Sequence, residues 1–89
     1  MATLRFTANI QRHVPCPEAV VPGATVGAVL DAYFRTHTRA RGYVLDDRGR
    51  VRQHMAIFVD GRHLRDLDVL GTPVADEAVI DVIQALSGG

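Results

Sequence analysis

Ala78-Val79-Ile80-Asp81-Val82-Ile83-Gln84 runs into Ala85-Leu86-Ser87-Gly88-Gly89 at the end of the sequence. The first seven residues alternate, with Ile80 and Val82 on one side and Val79, Asp81 and Ile83 on the other. That period of two marks a strand over 78–84. The last five carry no such pattern. Two terminal glycines add nothing to a core, but they make a tail thin enough to enter a narrow channel. On that reading the terminal carboxylate is the reactive group and the rest of the chain is its handle. The competing reading is a frayed end.

Working outward, Asp76-Glu77 is a turn before this strand, and residues 66–73 form a loop with Leu67 and Leu70 as plugs. Asp60-Gly61 is the strongest hairpin signal in the chain. It joins a strand over 51–60 to a short returning strand over 62–64. Met55, Ile57 and Val59 share one face of the longer strand; His54, Ala56 and Phe58 share the other. Thr25 is placed to cap a helix over about 26–38, on which Val26, Val29, Leu30, Tyr33, Phe34 and His37 form one apolar face. Gly27 weakens its first turn. At the N-terminal end, Leu4, Phe6, Ala8 and Ile10 alternate with Thr3, Arg5, Thr7 and Asn9, which predicts a strand over 3–10. A prolyl turn over 11–17 and a short strand over 18–21 complete a first hairpin. Asp46-Asp47-Arg48-Gly49 is a further turn.

The predicted order is strand, strand, helix, strand, short strand, strand. The fold class is α+β: a mixed sheet of four to five strands with one main helix on one face. The first and last strands are apolar enough to lie side by side at the centre, which is the ubiquitin-like β-grasp arrangement. The expected organisation is a single domain over 1–89 with a flexible tail at 85–89.

Composition narrows the function. The 89 residues carry 10 basic and 10 acidic side chains, so net charge gives no argument for nucleic acid. No apolar run reaches the ~20 residues of a membrane span, and no signal peptide is visible. A single cysteine, Cys16, permits no internal disulfide and fits a cytoplasmic protein. All basic residues are arginine. Without lysine, no side chain can accept an isopeptide bond, whereas the C-terminus can donate one. Cys16 and the four histidines, His13, His37, His54 and His63, match no zinc spacing, so no metal site is expected. Cys16 has no base beside it in sequence and reads as an incidental thiol. Arg48, Arg50 and Arg52 alternate and are expected to share a solvated strand face or hairpin edge.

With Ser87-Gly88-Gly89, Phe58-Val59-Asp60-Gly61-Arg62 and Asp76-Glu77-Ala78-Val79-Ile80 in place, the whole chain resembles the MoaD/ThiS family of ubiquitin-like sulfur carriers. The long segment over 40–52 resembles the longer, CysO-like members that serve cysteine biosynthesis or similar pathways. Ser87 and Gln84 stand where Pro and Thr or Ala are often found in the family. The resemblance implies a carrier protein, a cosubstrate with no catalytic pocket of its own. Gly89 would be adenylated by a ubiquitin-activating-type adenylyltransferase (MoeB/ThiF-like) using ATP, then converted to a thiocarboxylate for a sulfur-accepting synthase. No cofactor is expected to be bound, and the free protein is expected to be a monomer. Gly88, Ser87 and Leu86 form the tail, which spans roughly 16 Å from Ala85 if extended at ~3.3 Å per residue. Phe58, Ile83 and Leu86 are expected to form an apolar partner-binding patch on the sheet face away from the helix. The alternatives are a protein modifier conjugated through Gly89, the small subunit of molybdopterin synthase, and a β-grasp interaction module with an inert tail.

Overall fold

The computed structural model describes residues 1–65 and 68–84. The tail residues Leu86, Ser87, Gly88 and Gly89, and the loop residue Leu67, lie outside the described residues. Five strands, β1 (Ala2–Phe6), β2 (Ala19–Val21), β3 (Met55–Val59), β4 (Arg62–Leu64) and β5 (Val79–Gln84), form one sheet in the order β2-β1-β5-β3-β4. β1 and β5 pair in parallel, with Leu4 opposite Ile80 and Phe6 opposite Val82. The other pairings are antiparallel. The first and last strands are thus central neighbours.

Alternation sorts the side chains between two faces. Leu4, Phe6, Ile57, Ile80 and Val82 are buried against the helical layer. That layer is led by α2 (Val26–Phe34), whose buried residues are Val26, Val29, Leu30, Tyr33 and Phe34. Each of these large side chains contributes about 1.5–3 kcal/mol by leaving water. Thr25 caps α2, its Oγ1 accepting from the Ala28 amide at 3.1 Å. The next unpaired helix amides are met by the 68–74 loop: Val26 donates to the Thr72 carbonyl at 3.0 Å and Gly27 to the Leu70 carbonyl at 2.8 Å. Gly27 has a packing reason here, because a Cβ at that position would lie 2.9 Å from the Leu70 oxygen.

Two short helices depart from the sequence expectation. α1 (Ala8–Gln11) replaces the second half of the predicted first strand. Burial of Phe6, Ile10 and Val14 satisfies a spacing of four as well as one of two. α3 (Thr38–Val44) follows α2 after a break at His37, which sits at φ −123°, ψ 62°. Ala40 and Val44, four apart, are fully buried. Their packing outweighs the roughly 1 kcal/mol helix penalty of Gly42.

The third strand starts at Met55 rather than Val51. Val51 instead makes an isolated bridge with Leu45. Between them the 46–49 turn closes on Asp46, whose Oδ1 accepts from the amides of Arg48 at 2.9 Å and Arg50 at 3.0 Å. These bonds hold the Asp46 carboxyl below its ordinary pKa, the Arg50 amide being the largest cause. Arg48, Arg50 and Arg52 consequently share no strand face. Arg50 pairs with Asp46 at 3.4 Å, and the Arg52 Nε donates to the Gly42 carbonyl at 2.9 Å. Among the described residues, no helix is long and apolar enough to cross a membrane.

Candidate docking face and tail root

Among the described residues, no helix or strand covers the sheet face away from the helices. Strand pairing places Arg5, Asp81, Phe58 and His63 in one row across β1, β5, β3 and β4. The next row holds Ile83 opposite Ala56, so Ile83 and Phe58 are diagonal neighbours. Both are half-buried, and the Phe58 ring stacks on His63 with centroids 4.7 Å apart. Val20 on the β2 edge is 62% exposed. Leu86, expected to join the Phe58–Ile83 pair, lies outside the described residues.

The polar end of the row is satisfied internally. Arg5 grips Asp81 with two bonds, Nε to Oδ1 at 2.7 Å and Nη2 to Oδ2 at 2.9 Å. The hydrogen bond to Asp81, then its charge, raises the Arg5 pKa further above its already basic value. The two parallel bonds hold the guanidinium and carboxylate in one plane beside Phe58, a flat surface with an apolar centre and a charge pair at its side. At the other end of β3 the Asp60-Gly61 turn has φ values of 50° and 84°, the left-handed conformation of a tight hairpin. The Asp60 amide donates to the Val79 carbonyl at 2.8 Å, and the Val79 amide donates to Asp60 Oδ1 at 2.9 Å. These two bonds tie the β3–β4 turn to the start of β5.

β5 delivers the tail from the middle of the sheet. Its last residue, Gln84, points to the helical side, where Asn9 Nδ2 donates to Gln84 Oε1 at 3.1 Å. The Tyr43 hydroxyl approaches the same oxygen at 3.5 Å, and His13 stacks on Tyr43 with centroids 5.6 Å apart. Sequence reasoning missed the grouping of Asn9, Tyr43 and Gln84, because it rests on the two short helices.

The other candidates are spent on structure. Cys16 is 2% exposed, and burial pushes its thiol pKa up. Above it, the Tyr33 hydroxyl donates to the Pro17 carbonyl at 2.6 Å. Burial, reinforced by Cys16, pushes the Tyr33 pKa up to about 12. His37 stacks on Tyr33 with centroids 4.1 Å apart. Among the described residues, no three His, Cys, Asp or Glu side chains converge as a metal site.

Comparison with known proteins places this geometry. The sequence profile of the ThiS family matches residues 6–89, reaching the last glycine. No curated protein matches the chain in sequence. Among solved structures, a chain of the Amycolatopsis orientalis BexX/CysO complex superposes with TM-score 0.84 at 18% identity, covering 100% of both chains. CysO from Mycobacterium tuberculosis superposes with TM-score 0.82 at 19% identity, covering 97% of this chain and 100% of that one. SAMP1 from Haloferax volcanii gives TM-score 0.77 at 24% identity, covering 99% and 98%. These likenesses establish the β-grasp fold.

Proposed function

The chain belongs to the ThiS family, and we propose that it is a cytoplasmic sulfur carrier acting through a thiocarboxylate on Gly89. The observation that carries this reading is the family match extending to Gly88-Gly89, four and five residues after the end of the central strand β5. A carboxylate is a poor electrophile and needs activation. In the proposed sequence the Gly89 carboxylate attacks the α-phosphorus of ATP, pyrophosphate leaves, and an acyl-adenylate forms. Sulfide-level sulfur then attacks the Gly89 carbonyl and expels AMP. The resulting thiocarboxylate is nucleophilic and is delivered to a sulfur-accepting enzyme. The protein is a cosubstrate throughout, and both reactions take place in partner active sites.

The open sheet face supplies the docking surface in this reading, with Phe58 and Ile83 as its apolar anchors and Leu86 at the tail base. Interfaces concentrate their binding energy in a few such side chains. CysO of Amycolatopsis orientalis occurs in a complex with BexX, which supports a protein partner for a domain of this shape. Incubation with a MoeB/ThiF-like adenylyltransferase, ATP and sulfide tests the reading. Conversion of Gly89 to a thiocarboxylate supports it. Failure to form an adenylate excludes both the carrier and the modifier.

A further inference from the structure

β5 outruns its parallel neighbour. The last β1–β5 pair is Phe6 with Val82, whereas β3 continues to pair through Ile83 and Gln84. β1 leaves the sheet because the chain turns into α1 at Ala8, the Thr7 amide making its final bond to the Val82 carbonyl at 3.2 Å. Among the described residues, the last two residues of β5 thus have no ladder partner on one side. On that side stands Asn9, bonded to Gln84 at 3.1 Å, with Tyr43 of α3 closing on the same oxygen.

We propose that Asn9, Tyr43 and Gln84 form a clamp that substitutes for the missing ladder and fixes the direction in which the tail leaves the sheet. The clamp makes α1 and α3 positioning elements for chemistry at Gly89, and this rests on the carrier reading. Gln84 Oε1 is the shared acceptor, and Asn9 and Tyr43 are the donors. Gly89 follows Gln84 by five residues, so the path of the chain toward the reacting carboxylate begins at this group. Its aim is therefore set at its root, and every misdirected conformer reduces the fraction ready to react.

The donor–acceptor logic sets the test. Gln84→Glu keeps an acceptor for Asn9. Asn9→Asp is tolerated because the Gln84 amide can turn over and donate its Nε2 to the new carboxylate. Asn9→Ala removes the donor, and Asn9→Asp with Gln84→Glu sets two carboxylates against each other. Backbone 15N order parameters should fall at Ile83 and Gln84 in Asn9→Ala and in the double variant, and hold at Ile80 and Val82. In adenylation assays these two variants should lose ~5-fold or more in kcat, with KM for the carrier within ~2-fold, as expected for one lost hydrogen bond acting on positioning alone. Both single exchanges should stay near the unmodified protein. Unchanged order parameters and kcat in Asn9→Ala would overturn the clamp, as would a change confined to KM. If the unmodified chain is never adenylated, the carrier reading fails, and the order parameters still decide whether the clamp exists.

Discussion

Ile57 and Phe58, adjacent in β3, face opposite layers: Ile57 is 1% exposed opposite Val82 in the core, and Phe58 is half-buried opposite Asp81 on the open face. A charge placed at these two positions should have different consequences. Ile57→Asp and Val82→Asp put a carboxylate into the core and should unfold the domain. Phe58→Asp and Ile83→Asp should fold and, on the carrier reading, lose affinity for the proposed adenylyltransferase, each by on the order of 1.5–3 kcal/mol of apolar burial. Melting temperature and partner affinity of all four variants check this. A folded Ile57→Asp beside an unfolded Phe58→Asp would mean that the two faces are exchanged.

The Gly27 amide bond to Leu70 predicts an unusual outcome for Gly27→Ala. Alanine is normally favoured over glycine within a helix by about 1 kcal/mol. Here its methyl would lie 2.9 Å from the Leu70 oxygen and 3.2 Å from the Leu70 Cβ. The loop must move, so the variant should lose about 1–3 kcal/mol, as overpacked sites do. Chemical denaturation measures the difference, and a stabilised Gly27→Ala would show that the loop gives way freely.

Asp46 predicts a pH dependence. Its folded pKa is lowered, chiefly by the Arg50 amide. A lowered carboxyl contributes stability that is present above its unfolded pKa and lost as pH falls through the folded value. The stability difference between the parent chain and Asp46→Asn should therefore favour the parent at pH 7 and shrink below about pH 4, the ordinary carboxylate range. Melting temperatures across that range check the sign. A difference that grows on acidification would contradict it.

Much of the fold was legible because its signals are local. The alternation in β5 placed Ile80 and Val82 in the core, Thr25 announced the start of α2, and Asp60-Gly61 announced the β3–β4 hairpin. α1 escaped notice because Phe6, Ala8 and Ile10 continue a strand pattern that the backbone abandons at Thr7. α3 has only Ala40 and Val44 as its buried pair, contains Gly42, and has at its start His37, whose side chain makes no cap bond. The placement of Phe58 and Ile83 together on the sheet face away from the helices followed from strand period alone. The clamp did not, because Asn9 and Gln84 are 75 residues apart in sequence and meet only through tertiary packing.

Tail chemistry and folding should separate cleanly. Deleting Gly88-Gly89 should leave the melting temperature nearly unchanged, since the core described above is complete without them, and should abolish activation. A large drop in melting temperature on deletion would assign the glycines a structural role and remove the basis for a reactive tail.

The most direct measurement is the intact mass of the protein after incubation with a MoeB/ThiF-like adenylyltransferase, ATP and sulfide, with fragmentation to locate the change. The carrier reading predicts a species heavier by the difference between sulfur and oxygen, with the exchange on Gly89 and absent from the Gly88-Gly89 deletion. An adenylyltransferase active on its own carrier that leaves Gly89 unmodified here, with no adenylate formed, would contradict it.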